Sequence, residues 1–298
     1  MNVYNDTDLV FTKSTSTDVT MVVNTVKTMG EMTVAPAAAV PVYGPFSVSE
    51  NQQVYFSPGN LWATTNDLGN TWTWSFAEHQ YDKIGDATAN SNITTTSGVV
   101  DANGSVALFG WSTSSTYFGI LNSFGNDPFS GDFVDWATND ITNGGNPATP
   151  WRTLSSDEWS FILNHDDQST TQRGDNIFAF ANIHNVPGLI IFPDHFLDAN
   201  MPSSISSINN VYISTDSFPV LDDDTWAGLE NLGCAFLPSV GQRFGSGAYN
   251  PDMLIEYWTS TPSGANYAYR VYYSEFSRYI SANSRCYGYG VRLARNVQ

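Results

Sequence analysis

Short runs of alternating apolar and polar residues, broken every few positions by Gly, Asn or Pro, are the feature that most restricts how this chain can fold. They predominate from Phe46 onward, for example in Phe46-Ser-Val-Ser and Gln53-Val-Tyr-Phe. Alternation with a period of two predicts strands, and the residues between the runs favour turns. No period of about 20 to 50 residues repeats, which argues against a propeller or a solenoid.

Two segments carry helix signals instead. Ser155-Ser-Asp-Glu158 has the capping-box pattern ahead of Trp159, and three consecutive acids at 222–224 open a run that ends at Gly233. Residues 132–141 are a third candidate. The sequence therefore predicts an α+β domain with two or three short helices among many short strands and long loops.

The first 45 residues differ from the rest. Val19, Met21 and Val23 are spaced by two and predict a small β-rich segment, and the Pro and Ala residues of 34–44 suit an extended linker. We expect an attachment or oligomerisation segment and linker over residues 1–45 and a main domain over residues 46–298. The start has no basic leader and no apolar signal core, so we expect synthesis in a cytoplasm without a signal peptide and no membrane insertion.

The net charge of −18, from 29 acidic and 11 basic residues, opposes the phosphate attraction that dominates nucleic-acid binding. Nucleic acid is therefore not an expected partner. The charge is also uneven, because residues 254–298 hold 2 acids and 5 bases while residues 1–253 hold 27 acids and 6 bases. The C-terminal part is thus locally cationic on an acidic body.

Eight of the fifteen tyrosines lie between Tyr257 and Tyr289, among serines, asparagines and arginines. Tyrosine offers a rigid apolar face with a hydroxyl, Ser and Asn adapt their hydrogen bonds, and Arg supplies forked donors. This mixture is typical of antibody-like binding surfaces. The alternative is that these tyrosines simply line strands of a β-rich core.

Strand parity helps to separate the two interpretations. In the strand that contains Val271, the apolar side chain should face the core, which places Tyr269 and Tyr273 inward with it. By the same reasoning Tyr289, which precedes the inward Val291 by two positions, is expected to be structural. The residues left outward are Arg270, Tyr272 and Ser274.

Residues 275–287 alternate poorly and predict a loop or an irregular strand, where binding residues concentrate. Cys286 in this segment is expected to be half buried. The ligand-binding residues that we expect are Asn266, Arg270, Tyr272, Ser274, Phe276, Arg278, Tyr279, Asn283, Arg285 and Tyr287.

An ordered series of strings carries a family resemblance. The strings are Gln53-Val-Tyr-Phe-Ser-Pro-Gly-Asn-Leu, Phe76-Ala-Glu-His-Gln-Tyr-Asp-Lys-Ile-Gly, Leu108-Phe-Gly-Trp, Trp151-Arg-Thr-Leu-Ser-Ser-Asp-Glu-Trp, Gly188-Leu-Ile-Ile-Phe-Pro-Asp, Phe236-Leu-Pro-Ser-Val-Gly-Gln-Arg, Tyr257-Trp-Thr-Ser-Thr-Pro and Gly290-Val-Arg-Leu-Ala-Arg. Together they resemble a large group of proteins from gut Bacteroidales and their phages that is similar to the C-type-lectin fold, in the branch shared with formylglycine-generating enzymes. The resemblance covers residues 46–298 and is not evident in residues 1–45.

Many members of this fold are variable proteins of diversity-generating retroelements, in which a reverse transcriptase rewrites adenines of a C-terminal segment. The resemblance implies a variable binding segment at about residues 254–289. Asn codons of the form AAC can then become codons for many residues, but not for Trp, Lys, Met, Glu or Gln. Between Thr259 and Val297 those five types occur once, as Glu275.

The resemblance implies a receptor-binding protein of the phage tail fibre or tail tip, carried in the virion, that recognises a bacterial surface protein or glycan. Residues 1–45 would dock it to other tail proteins, and multivalent contact favours a homo-oligomer, for which a trimer is the expectation. An alternative with the same fold is a bacterial surface adhesin or fimbrial-tip protein. A third is an oxidase of the formylglycine-generating type.

The sequence does not favour an enzyme. It has no Gly-x-Ser-x-Gly elbow and no phosphate-binding loop, and Cys234 and Cys286 lack the context of the cysteine pair in formylglycine-generating enzymes. Both are expected to be free thiols. The four histidines have no zinc-type spacing, so no metal or cofactor is expected. The carboxylates at 166–167 and 222–224 leave calcium open.

Overall fold

The computed structural model describes residues 2–5, 8–12, 40–83, 95–96, 99–100, 104–113, 129–145, 150–164, 170–244, 247–274 and 277–298. The chain divides into two compact units, Met1–Ala39 and Val40–Gln298. In the first unit, strands β1 (Asn2–Asn5) and β2 (Asp8–Thr12) pair antiparallel with one register shift.

The second unit is mixed α+β and consists mostly of short strands. Its helices are α1 (Ser156–Ile162), α2 (Thr170–Arg173), α3 (Ser203–Ser206) and α4 (Asp223–Asn231). Its strands are β3 (Tyr43–Ser49), β4 (Gln52–Phe56), β5 (Leu61–Thr65), β6 (Thr73–Phe76), β7 (Thr95–Thr96), β8 (Val99–Val100), β9 (Gly104–Val106), β10 (Arg152–Thr153), β11 (Phe178–Ile183), β12 (Val186–Ile191), β13 (Val220–Leu221), β14 (Ala235–Pro238), β15 (Gln242–Phe244), β16 (Gly247–Tyr249), β17 (Ile255–Ser263), β18 (Tyr267–Ser274), β19 (Ser277–Ser284) and β20 (Leu293–Asn296).

These strands form several small sheets rather than one large one. Two four-stranded sheets have the orders β10-β20-β4-β3 and β13-β11-β12-β14, and two three-stranded sheets have the orders β6-β5-β9 and β17-β18-β19. In the first sheet, the last strand of the unit pairs antiparallel with one of its earliest strands, β4. The C-terminal end of the chain is therefore fixed to the beginning of the same unit.

The two predicted helices are present and begin as their capping signals indicate. The Ser155 hydroxyl accepts from the Glu158 N–H at the start of α1, while the Glu158 carboxylate accepts from the Ser155 N–H, which completes the capping box. At the start of α4 the Asp222 carboxylate accepts from the Thr225 N–H. Both helix N-termini are thus satisfied by side chains close to them in sequence.

The third helix candidate, residues 132–141, is wrong apart from one short turn. Only Trp136–Thr138 is helical, as a 3-10 turn. The Asp135 carboxylate accepts from the Ala137 N–H but also from the Thr153 N–H and hydroxyl, at 2.9 Å each. Trp136 is fully buried. These tertiary contacts hold the segment against β10 and override its local helical preference.

The largest apolar cluster joins α1 to strands from three of these sheets. Trp159 and Ile162 of α1 pack in it with Phe56 of β4, Phe180 of β11 and Val271 of β18. Since such clusters are held by burial of apolar surface, α1 ties the C-terminal sheet to the rest of the unit. None of the helices in the described part of the chain is long and apolar enough to cross a bilayer.

Candidate functional site

The sheet β17-β18-β19 has one buried and one partly open face. Val271 lies opposite Tyr257 on one side and Ile280 on the other, and all three face the main apolar cluster. We call this side the core face. Side chains at the alternate positions of the three strands point to the opposite side of the sheet, which we call the outer face. They are Glu256, Trp258, Ala268, Arg270, Tyr272, Ser281 and Asn283.

The parity predictions for β18 hold for Val271, Tyr273, Arg270 and Tyr272. Val271 is fully buried and Tyr273 is 2 % exposed, whereas Arg270 and Tyr272 are half-buried. Tyr269 shares the parity of Val271 but is only half-buried. Tyr289 is fully buried, as predicted. Position along β18, rather than residue type, therefore determines which face of the sheet a side chain lies on.

A buried ion pair lies beneath the outer face. Arg270 Nε is 3.0 Å from Glu256 Oε1, and the two side chains are 13 % and 1 % exposed. Burial raises the pKa of Glu256 to about 7, against the opposing effect of the Arg270 guanidinium. The second oxygen of this carboxylate, Oε2, has no hydrogen-bond partner among the described residues.

Arg270 is held from several sides and is less available than the sequence indicates. Its NH1 group donates to the Ser281 hydroxyl at 2.7 Å. Its guanidinium carbon lies 4.6 Å from the centre of the Tyr272 ring and 5.5 Å from that of Tyr289. The arginine therefore orients the Tyr272 ring beside the ion pair.

Asn283 and Tyr287 extend the outer face toward β15. The Asn283 side-chain amide donates to the Tyr289 hydroxyl at 2.6 Å. The Tyr287 ring stacks on Phe244, with ring centres 4.8 Å apart, and lies parallel to Tyr289 at 6.0 Å. Phe244 and both predicted residues, Asn283 and Tyr287, are half-buried. The face thus presents aromatic and amide groups whose orientation is already set by neighbours.

Arg285, one of the predicted ligand-binding residues, is 3 % exposed, and its donors are used inside the protein. Nε donates to the Tyr267 carbonyl and NH2 to the Gly264 carbonyl, at 2.9 and 2.8 Å. NH1 donates to the Gly131 carbonyl at 3.1 Å, and the guanidinium lies 3.9 Å above the Trp111 ring. Arg285 joins the hairpin turn to distant parts of the unit.

The segment predicted to be a loop or an irregular strand is largely regular. Residues 277–284 form β19, which pairs with β18 without a register shift. Arg278 and Tyr279 lie on this strand opposite Tyr273 and Tyr272, and Ser274 lies at the end of β18. Phe276 is outside the described residues. Asn266 is exposed in the turn between β17 and β18.

Several residues on or beside the outer face were not among the predicted ligand-binding residues, and they include Glu256, Ser281 and Phe244. Glu256 is an acid inside the apolar run Ile255-Glu-Tyr-Trp258, and that position was a usable signal, because a charged residue in a buried strand requires a partner. Ser281 and Phe244 carry no comparable signal. Ser281 joins the face because β19 pairs with β18, and Phe244 lies beside it because the Tyr287 ring stacks on it.

Elsewhere, a polar cleft of about 580 Å³ lies beside β3 and β4. Two of its lining residues are held by Asp194, which accepts from the Ser47 hydroxyl and from the Gln53 amide at 2.7 Å each and pairs with the buried Arg173. The outer face combines tyrosine rings, amides and a guanidinium, whereas the described residues of this lining include the imidazole of His195 but no Phe, Tyr or Trp. The cleft therefore lacks the apolar contact area of a typical recognition surface.

The two cysteines and the metal-ligating side chain types were the other candidates for chemistry. Cys234 and Cys286 are both free and buried. Cys286 was expected to be half-buried, but it is only 6 % exposed. Burial raises the pKa of the Cys234 thiol far above its usual range. Within the described ranges, no three His, Cys, Asp or Glu side chains are grouped to hold a metal ion. Residues 166–167 lie outside those ranges.

Comparison of the chain with protein-family models, with curated proteins and with solved structures found no match.

Proposed function

We propose that this chain is a receptor-binding protein with a C-type-lectin-like domain, and that it recognises a bacterial surface ligand through the outer face of the sheet β17-β18-β19. The observation that carries the proposal is the pairing of a buried core face with an outer face of half-buried Tyr, Arg, Ser and Asn side chains. The family resemblance supplies the phage-tail context. It also supplies the expectation that this surface varies.

The outer face is suited to binding because its side chains are already ordered. Tyr272 is held by Arg270, Tyr287 by Phe244 and Asn283 by Tyr289. A group that is fixed before association loses less conformational entropy when the ligand arrives. Large rings with a hydroxyl, surrounded by small polar groups, give contact area together with hydrogen bonds.

Tyr272 and Tyr287 are the expected hot spots. Their rings are partly exposed, and neither is tied to the main apolar cluster. Arg270 is assigned a positioning role, because its guanidinium is engaged by Glu256 and Ser281. The remaining polar residues would exclude water around these two rings rather than supply most of the affinity.

The test is adsorption of the fluorescently labelled protein to a panel of gut Bacteroidales strains, read by flow cytometry. The double variant Tyr272→Ala/Tyr287→Ala should lower binding to a strain that the unchanged protein labels by about tenfold or more. The matched control is Tyr55→Ala/Tyr81→Ala, which removes two partly exposed tyrosines outside the outer face. Equal binding by both variants, or labelling of no strain by the unchanged protein, would contradict the proposal.

A further inference from the structure

Strand β19 is an edge strand of unusual regularity. It has eight residues, and among the described residues it pairs on one side only, with β18, through eight consecutive residue pairs without a bulge. An edge of this kind presents unpaired N–H and C=O groups that readily pair with another chain.

The hydrogen bonds around β18 show which peptide groups of β19 point outward. The Arg285 N–H donates to the Asn266 carbonyl, and the Tyr269 carbonyl accepts from the Thr259 hydroxyl on the β17 side. Even-numbered residues of β18 therefore bond to β19, and their partners in β19 are odd-numbered. The N–H and C=O groups of Arg278, Ile280 and Ala282 consequently face away from the sheet.

This open edge has a defined end. The Ser284 N–H donates to the Asn283 side-chain oxygen, and the Ser284 carbonyl accepts from the Tyr287 N–H. Ser284 therefore has its outward groups satisfied within the protein. Among the described residues, the stretch of β19 whose outward groups have no partner spans residues 278–282, which is long enough for an added strand of about five residues.

Other strand edges of the second unit are shorter or interrupted. β10 and β13 have two residues each, β9 has three, and the seven-residue β3 is broken by two register shifts. At β17 the Trp258 N–H donates to the Gly290 carbonyl, so that edge is covered. Short strands, bulges and covering segments are the usual protections of an edge. β19 has none of them in the described part of the chain.

We infer that the edge of β19 binds an extended segment of a protein ligand, which adds to the sheet as a fourth strand. This inference rests on the proposed function and names the ligand class. Main-chain hydrogen bonds to residues 278–282 would supply affinity. Every second side chain of the added strand would lie on the outer face, beside Ser281 and close to the Tyr272 ring, and would supply specificity.

Charge favours a partner segment with acidic residues over a second copy of this chain. Strand β19 itself contains one arginine, Arg278, and no acid, so the edge carries a positive charge of its own. Two whole chains, each with a net charge of −18, repel one another. A segment that carries Asp or Glu would be attracted to this local charge and would avoid that repulsion.

The deciding variant is Ala282→Pro, compared with Ala282→Val on a Bacteroidales strain that the unchanged protein labels. The N–H of residue 282 points away from β18, so proline removes it without breaking a hydrogen bond between β18 and β19. An edge strand tolerates proline at such a position. Binding should fall about tenfold or more in Ala282→Pro and change little in Ala282→Val. Treating the cells with proteinase K should abolish labelling by the unchanged protein.

Other outcomes separate the two claims. Normal binding by Ala282→Pro, with loss in Tyr272→Ala, would overturn the edge inference and leave the proposed function intact. Loss in neither variant would remove both. Labelling that survives proteinase K would replace the protein ligand by a glycan and overturn the inference.

A folding defect is checked by amide exchange. Slow exchange at Tyr279 and Ser281 in Ala282→Pro shows that the ladder is intact. If exchange there is fast, Ala282→Glu is the deciding variant instead. It keeps the N–H of residue 282 but places a negative charge beside the negative charges of an acidic segment. It should lower binding about tenfold, and unchanged binding would overturn the inference.

Discussion

Arg270 Nε lies 3.0 Å from an oxygen of Glu256, a carboxylate that is 1 % exposed and whose other oxygen has no partner among the described residues. The pair therefore anchors Arg270 of the outer face to a buried charge. Its protonation should influence both stability and the order of the surface above it.

The first prediction concerns pH. Because burial raises the pKa of Glu256 to about 7 from 4.5, the folded protein holds this proton more strongly than the unfolded chain does. The contribution of Glu256 to the free energy of unfolding should therefore fall as pH rises from about 4.5 to 7 and stay level above that. The predicted fall is on the order of 3 kcal/mol.

The measurement is urea denaturation of the unchanged protein and of Glu256→Gln at several pH values from 4.5 to 8. The variant lacks the titrating group, so the difference between the two curves isolates the effect of Glu256. Carboxylates with lowered pKa values, such as Asp194 and Glu158, act with the opposite sign at lower pH and cancel in the difference. A difference that does not vary with pH would refute the prediction.

The second prediction concerns Arg285. Lysine cannot reproduce three directed donors and a flat cation above Trp111, so Arg285→Lys should reduce the free energy of unfolding by about 2–3 kcal/mol. Arg295→Lys is the matched control, since Arg295 is half-buried and lies over Trp151 at 5.2 Å. It should change stability by less than about 1 kcal/mol. Equal effects in chemical denaturation would argue against the structural role of Arg285.

The third prediction compares two glycines near the end of α4. Gly233 has φ +88°, and a Cβ there would lie 2.5 Å from the Gly44 carbonyl oxygen, so Gly233→Ala should destabilise the protein by about 2 kcal/mol or more. Gly228 lies within α4 with no atom within 4 Å of such a Cβ. Gly228→Ala should stabilise it by about 0.5–1 kcal/mol. Thermal unfolding measures both, and the same sign for the two would be inconsistent with the structure.

The fourth prediction concerns the thiols. Burial, with a smaller contribution from Glu230, raises the pKa of the Cys234 thiol, and only the thiolate reacts readily. The native protein should therefore leave Cys234 unmodified by iodoacetamide at pH 8, while the urea-unfolded chain should be modified at both cysteines. Peptide mass spectrometry distinguishes the two sites. Rapid labelling of Cys234 in the native protein would show that its burial is incomplete.

Local signals predicted the parts of the fold that depend on neighbours in sequence. The capping box at Ser155 and the acid at Asp222 both mark helix starts, because a cap is satisfied within one helical turn. Parity placed Val271 and Tyr273 inward because side chains alternate between the two faces of a strand, which is also a local property. These features need no knowledge of the tertiary structure.

Features that depend on distant partners were missed. β19 contains one large aliphatic residue, Ile280, so its sequence shows little alternation, and its pairing with β18 defines the strand instead. Arg285 seemed exposed because its acceptors, which include Gly131, are remote in sequence. Burial of a polar side chain follows from where its partners lie, and a single sequence does not give that.

The alternation along β18 also bears on how freely this surface can evolve. Tyr272 can change with little effect on the core, because its ring lies on the outer face. Position 270 differs, since replacing the arginine would leave the Glu256 carboxylate buried without its counterion. Variants at position 270 that fail to fold would be lost, whatever affinity for a ligand their surface would have. The repertoire of surfaces accessible to this protein is thus narrower than its count of outward residues implies, and one buried acid sets the restriction.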